Sequence, residues 1–294
     1  MHISVLLQEV IEAIPENPKF VFDGTLGAGG HAKSILEKYP SIEKYVGVDK
    51  DSDAIRYSKE VLENFSSKMV FVNSASGDIK DIATKNHIQS FDVVFMDLGL
   101  SSRQLEESGR GFTFLKDEPL NMSMNDSDPD FTAWNIVNTW DEEDIANVLY
   151  AYADERFSRQ IARKIVKHRD EVGTIDNTHT LVDIVREAIP RRFQSKKTNP
   201  ATKTFQALRI AVNGELEEAK KVIRDGFDLL SKGGRLVFIS FHSLEDKVVK
   251  ENFKELVSQN KAVLINKKPI VPTDSEIKDN PRSRSAKLRI LEKC

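Results

Sequence analysis

Residues 22–36 read FDGTLGAGGHAKSIL, and the fold turns on what this stretch is for. Gly27, Gly29 and Ala32 stand at the G-x-G-x-x-G/A spacing that carries a strand into a helix in dinucleotide-binding folds. Asp23, however, stands just ahead of the glycines, where the apolar run KFVF (19–22) ends. A pyrophosphate at a helix N-terminus favours neutral or positive surroundings. A carboxylate there suits a ligand that carries positive charge. The loop alone leaves three readings open: a pyrophosphate cradle, a site for a cationic ligand, or a tight turn that only packs helix on strand.

Working outward, Lys19–Phe22, Tyr45–Val48, Met69–Val72 and Phe91–Met96 are short apolar runs separated by helical patterns, from about Ala32 and over Asp51–Phe65. Continuous apolar strands alternating with helices predict a parallel sheet covered on both faces. The next such strand, Arg235–Phe241, is introduced by a Gly233–Gly234 turn. The gap before it far exceeds a simple crossover. Most of that gap reads as helix, over Glu142–Tyr152, Phe157–Arg169, Thr180–Ile189 and Lys203–Leu230. Ala262–Ile265 and Lys287–Leu291 read as closing strands. The expected fold is α/β, a Rossmann-like sheet with an inserted all-helical domain: 1–109 and 209–294 form the sheet domain, 110–208 the insert.

Composition is that of a globular chain: 294 residues, 39% hydrophobic and 30% charged, net charge −3. No apolar run approaches the roughly 20 residues that cross a bilayer, and MHISVLLQEVIEAI lacks a basic region and small-residue cleavage site. Cytoplasmic location without a membrane partner is expected. Cys294 is the only cysteine, and the six histidines show no H-x-x-x-H or H-x-x-E-H spacing, so no metal site is expected. Charge is unevenly spread. Residues 104–155 hold 13 acidic and 2 basic side chains (−11), whereas 156–209 hold 13 basic and 5 acidic (+8). Such asymmetry fits a polyanionic partner as well as solvated helix faces.

Asp23, Asp49 and Asp97 each end a predicted strand, the edge where ligands bind in parallel α/β sheets. Asp49, 22 residues after Gly27, stands where a ribose-hydroxyl acceptor belongs, which fits NAD and S-adenosylmethionine alike. The order apolar-Asp-x-x-x-Gly-x-Gly is the first-motif layout of Rossmann-like methyltransferases. FMDLGLSSRQL (95–105) places Asp97 where methyltransferases acting on exocyclic amines carry an acid or amide, although the usual prolines and aromatic are absent and a helix N-cap would also explain the polar residues. In SFHSLED (240–246), Ser243 and Asp246 form an S-x-x-D helix start, and His242 reads either as a base contact or as part of that start. Phe112 and Phe114 read as core. The loop RRFQSKKTNPATK contributes Arg191, Arg192, Lys196, Lys197 and Lys203, and NPRSRS contributes Arg282 and Arg284, as candidate phosphate contacts.

DGTLGAGGH (23–31), DLGLSSRQL (97–105), RGFTF (110–114), NPATKTFQALRIAVNGELE (199–217), GGRLVFISFHSLEDKVVK (233–250) and NPRSRS (280–285) together resemble the bacterial small-subunit ribosomal RNA cytosine-N4 methyltransferase family. The resemblance implies a class I methyltransferase sheet, S-adenosylmethionine as cofactor, and a decoding-centre cytosine of small-subunit ribosomal RNA as substrate; free RNA and the assembled subunit both stay open, with the assembled subunit the expected partner. It further implies an insert devoted to RNA recognition and homodimer contacts. Cofactor contacts fall on Gly29, Gly30, His31, Asp49, Ser76, Asp97 and Gln104. Asp97, with the Leu98 carbonyl, is the candidate to accept an amino hydrogen from N4. Ser76 replaces an aromatic ring expected against the adenine, Asn121 and Ser123 replace Asp and Arg, and Ala28 replaces an often charged residue. Methylation at C5 typically uses a cysteine nucleophile, so a chain whose only thiol is Cys294 agrees with N4. The alternatives are a nicotinamide-dependent dehydrogenase and a non-catalytic ribosome-assembly factor on the same fold.

Overall fold

The computed structural model describes residues 4–125, 131–195 and 198–294. Among them, seven strands form one sheet: β1 (Phe20–Asp23), β2 (Lys44–Asp49), β3 (Met69–Asn73), β4 (Phe91–Asp97), β5 (Leu230–Ser240), β6 (Ala262–Leu264) and β7 (Lys287–Lys293). Their order is β3-β2-β1-β4-β5-β7-β6. β1 to β5 run parallel, and β7 lies antiparallel between β5 and β6. This is the expected Rossmann-like arrangement. Strand order reverses between the neighbours β1 and β4, which makes their carboxyl ends the place for a ligand.

The apolar runs form strands because both faces of the sheet are covered. Successive side chains of a strand point to opposite faces. Phe22, Val94, Met96, Leu236 and Phe238 accordingly enter one buried cluster, with Ile79, Val222, Ile223 and Phe253 from helices. Val21, Val93, Phe95, Val237 and Ile239 enter another, with Ile35 and Leu36. Each such side chain contributes roughly 1.5–3 kcal/mol when fully buried. Two-sided burial removes the apolar–polar alternation that a half-exposed strand shows.

The glycine pair before the fifth strand behaves differently from the expected turn. β5 already begins at Leu230, and its pairing with β4 shifts between Phe91 and Val93. Gly233, at φ 77°, accommodates this bulge inside the strand. Asp92 pins the same end of the sheet: its Oδ2 accepts from the Lys19 and Phe20 amides at 2.7 and 3.0 Å, and its Oδ1 accepts from Ser231 Oγ at 2.9 Å.

The chain divides into two compact units, residues 1–99 with 216–294, and residues 100–215. The expected limits of the insert, 110 and 208, both fall inside the second unit. Leu100 and Leu105 pack against its core, as do Ala211 and Val212 of helix Thr202–Asn213. That core is drawn mainly from helices Ala133–Thr139, Glu142–Ala153, Ser158–Glu171, Thr178–Ala188 and Thr202–Asn213. Phe112 is buried in it, and Phe114 packs edge-on to Phe205 with centroids 5.2 Å apart. Asn121 and Ser123 hold a turn, with Asn121 Oδ1 accepting from the Ser123 amide at 2.8 Å.

The stretch Lys203–Leu230, expected as one helical run, is two helices, Thr202–Asn213 and Glu215–Leu229. Gly214 separates them as a left-handed C-cap at φ 60° and ψ 30°. A Cβ at this position would meet nothing within 4 Å, so only backbone conformation penalises a side chain there. Gly214→Ala should therefore lower stability by about 1–2 kcal/mol. Urea unfolding checks this, and an unchanged midpoint would show that the cap needs no glycine.

Candidate active site

β1, β2 and β4 each end on an aspartate at the carboxyl edge of the sheet, and the loop between β1 and helix Gly30–Lys38 runs along that edge. Asp23 is buried: its Oδ2 accepts from the Tyr45 hydroxyl at 2.8 Å and its Oδ1 from the Thr25 amide at 3.1 Å. Burial pushes its carboxyl up to about 7 despite those donors, with the charge of Asp49 adding to the rise. Asp49 accepts from the Gly27 amide at 2.9 Å and from the Asp51 amide at 2.9 Å. Desolvation raises it to about 6, opposed by those two amides and assisted by the charges of Asp51 and Glu218.

Asp97 is the most perturbed of the three. Desolvation raises it to about 8, reinforced by Asp23 and Glu245. Its backbone amide donates to Thr25 Oγ1 at 2.6 Å, which ties the end of β4 to the glycine loop. The side chain is 25% exposed, yet Oδ1 is a buried atom with no hydrogen-bond partner. His31 Nε2 lies 2.9 Å from the Val5 carbonyl, which can only accept, so Nε2 carries the proton. The opposite nitrogen, Nδ1, stands 3.7 Å from Asp97 Oδ2, and the ring packs edge-on to Phe95 at 5.0 Å.

Gly27 answers to its left-handed backbone at φ 51°, and other glycines of the opening stretch answer to packing. Gly29 caps helix Gly30–Lys38 in the left-handed region at φ 79°, where an added Cβ would press on Leu62 at 3.1 Å. A Cβ on Gly30 would collide with Ser4 Oγ. Gly24, which the motif does not count, is as constrained, because its Cβ would strike Met96 Sδ and Ser76 Cβ. The case for a ligand therefore rests on the carboxylates.

Ser76 is buried and donates to Glu218 Oε1 at 2.9 Å, while Glu218 Oε2 pairs with Lys50. A charged network thus occupies the surroundings of the site expected to hold an aromatic ring. Gln104 belongs to the other unit. It closes a capping box with Ser101: its amide donates to Ser101 Oγ at 3.2 Å, and its Oε1 accepts from the Ser101 amide at 3.0 Å. The start of helix Ser243–Ser258 lies one residue earlier than the S-x-x-D reading places it. His242 is the N-cap, and the box partner is Glu245, not Asp246. Glu245 Oε2 accepts from the Phe241 and His242 amides at 2.7 and 3.2 Å. Asp246 instead pairs with Arg289 at 2.7 Å and Lys287 at 3.1 Å, which hold its carboxyl below the usual range against burial. Sequence reasoning passed over Thr25, Tyr45, Lys50, Glu218 and Glu245, because their partners are distant in the chain or are backbone atoms.

Of the candidate phosphate contacts, Arg191, Arg192 and Lys203 are exposed on the helical unit, and Lys203 Nζ donates to the Asp154 carbonyl at 2.9 Å. Lys196 and Lys197 lie outside the described residues. Arg282 and Arg284 are exposed on the single turn Pro281–Ser285 of the sheet unit. The site gathers Asp23, Asp49, Asp97 and His31; Ser76 lies against Gly24 and hydrogen-bonds Glu218.

Desolvated carboxylates around an unpartnered carboxylate oxygen suit a cation better than a pyrophosphate, and an acceptor at the end of β2 suits a ribose. Together with the strand order and the antiparallel β7, they define an S-adenosylmethionine-dependent methyltransferase of the Rossmann-like class. The chain belongs to the MraW methylase family, whose model matches residues 1–294. It is 44% identical over 309 residues to ribosomal RNA small subunit methyltransferase H of Clostridium botulinum, covering 99% of this chain and 98% of that protein. The proteins of the same name from Acetivibrio thermocellus and Clostridioides difficile are 42% and 40% identical, at the same shares of coverage.

The raised carboxyl of Asp97 has a consequence for stability. Between its ordinary value of 3.8 and about 8, the folded chain keeps a proton that the unfolded chain releases. Stability contributed by this site therefore falls as pH rises through that window. Asp97→Asn removes the titration, so its melting temperature relative to the unsubstituted chain should climb steadily from pH 4 to pH 8. Thermal unfolding of the cofactor-free proteins measures this, and a difference independent of pH would refute the perturbed carboxyl.

Proposed function

We propose that the chain transfers a methyl group from S-adenosylmethionine to N4 of a cytosine in the decoding centre of small-subunit ribosomal RNA, with the assembled subunit as substrate. The observation that carries this reading is the buried, unpartnered Oδ1 of Asp97 at the end of β4. When bound, the cofactor supplies an activated methyl group on a sulfonium, a leaving group that needs no acid from the protein. The chain's task is then to position two substrates and to receive a proton.

Asp49 accepts from the ribose hydroxyls in this reading, with its orientation set by the Gly27 and Asp51 amides. Gly29, Gly30, His31, Ser76 and Gln104 complete the proposed cofactor contacts. The amino nitrogen of cytosine is a weak nucleophile because its lone pair is delocalised into the ring. Asp97 Oδ1, with the Leu98 carbonyl, accepts the amino hydrogens and so favours a pyramidal nitrogen whose lone pair can be aimed. Once N4 carries the methyl group, Asp97 takes the proton that N4 releases. The folded chain alone keeps a proton on Asp97 up to about pH 8, so the positive charge of the bound cofactor is what favours its ionised form, and the carboxylate so formed is a stronger base than an ordinary one. The absence of any cysteine but Cys294 agrees with an amine rather than a ring carbon as acceptor. The helical unit is the proposed RNA-recognition and homodimer element, and the protein is proposed to be cytoplasmic.

Mass spectrometry of small-subunit RNA from cells with and without the gene tests the reaction. N4-methylcytidine should vanish from the decoding centre when the gene is absent, and its persistence would assign the chain elsewhere. In single-turnover assays Asp97→Ala should abolish methyl transfer far more than it weakens RNA binding. Asp49→Ala, folded by circular dichroism, should weaken cofactor binding in calorimetry by about tenfold or more, since a hydrogen bond to a charged group contributes about 1.5–3 kcal/mol. Unchanged affinity would remove the ribose assignment. Neutralising Arg191, Arg192, Lys196, Lys197 and Lys203 together should flatten the salt dependence of RNA binding, because fewer counterions are released. Equal slopes would shift the phosphate contacts to Arg282 and Arg284.

A further inference from the structure

Phe157 leads into helix Ser158–Glu171, and Arg191–Phe193 form a single turn after Pro190. The fold of the helical unit brings these segments together. The rings of Phe157 and Phe193 lie 5.4 Å apart, tilted by 45°. The Arg156 guanidinium sits over both rings, 4.7 Å from Phe157 and 4.5 Å from Phe193, and Arg192 sits 4.9 Å from Phe193. Phe193 remains 43% exposed, and Arg156, Arg191 and Arg192 are exposed beside it.

Two properties separate this cluster from an ordinary solvated face. No carboxylate among the described residues pairs with Arg156, Arg191 or Arg192, whereas Arg163 and Arg186 of the same unit pair with Glu142 and Asp183. The cluster also combines rings with cations, because guanidinium groups held over rings bring flat faces and N–H donors to one place. Flat faces stack on an unpaired base, and the N–H groups donate to its phosphate. An acidic peptide would satisfy the charges and leave the ring unused.

We propose that Arg156, Phe157, Arg192 and Phe193 form a stacking platform for an unpaired nucleotide of the RNA substrate, which adds a base contact to the phosphate contacts assigned to the basic loop and shares Arg192 with them. It rests on the RNA reading above and adds that the RNA is held in part through its bases. Phe157 supports Arg156 from below, Phe193 carries the exposed face, and Arg192 continues the stack.

Binding of a short oligocytidylate and of a blunt RNA duplex tests this, with Phe193→Leu and Arg156→Lys beside the unsubstituted chain. Both variants keep the net charge. Phe193 is outside the core, so melting temperatures should match. Oligocytidylate should bind each variant about tenfold more weakly, the scale of one lost base stack, while duplex affinity and salt slope stay unchanged. Equal affinity for the oligonucleotide, or the same loss on both RNAs, would overturn the platform. Oligonucleotide binding that polyglutamate displaces and that Phe193→Leu leaves intact would overturn it too, and would give the patch to an acidic protein surface. Methyl transfer by the unsubstituted chain to assembled small subunits that lack the modification is measured in parallel. Its absence removes the RNA reading itself, whereas normal transfer with undiminished oligocytidylate binding removes only the platform.

Discussion

Three carboxylates gathered at one edge of a dry sheet are the constraint around which the sheet unit is arranged. Asp23, Asp49 and Asp97 follow continuous apolar strands, so they stand where water is scarce and their mutual repulsion is poorly screened. The fold answers with donors placed one by one: the Tyr45 hydroxyl and Thr25 amide for Asp23, the Gly27 and Asp51 amides for Asp49. Asp97 alone keeps an oxygen without a donor, and it is the one pushed furthest up. A site with this imbalance is arranged for a ligand that brings positive charge and hydrogen-bond donors.

The glycine loop serves this arrangement indirectly. Its glycines let the chain pass close to Leu62, Ser4, Met96 and Ser76, which brings the Gly27 amide to Asp49 and Thr25 Oγ1 to the amide of Asp97. The same spacing that cradles a pyrophosphate elsewhere is here a brace between two strand-end acids. A motif of backbone shape does not specify its ligand; the charges around it do. The replacement of the expected aromatic by Ser76 follows the same logic, since Ser76 is engaged by Glu218, whose other oxygen pairs with Lys50.

Much of this was legible in the chain. The seven strands follow from apolar runs and their bounding residues, because burial on both faces leaves a local signature, and the strand-end acids Asp23, Asp49 and Asp97 are read from where each run stops. The helical insert follows from the length of the gap between β4 and β5. Less legible were features set by a single backbone angle. Gly214 ends one helix and permits another, Gly233 makes a bulge where a turn was expected, and the start of helix Ser243–Ser258 moves by one residue to His242.

Sequence by itself determined the class of sheet, the identity of the acids at its edge and the uneven charge of the insert, since each depends on residue type and short-range order. Only the tertiary structure decided which of those acids lacks a donor, which cations are already paired, and that Arg156 and Phe157 meet Arg192 and Phe193. Desolvation, pairing and stacking depend on neighbours far apart in the chain, and those neighbours are set only when the elements pack.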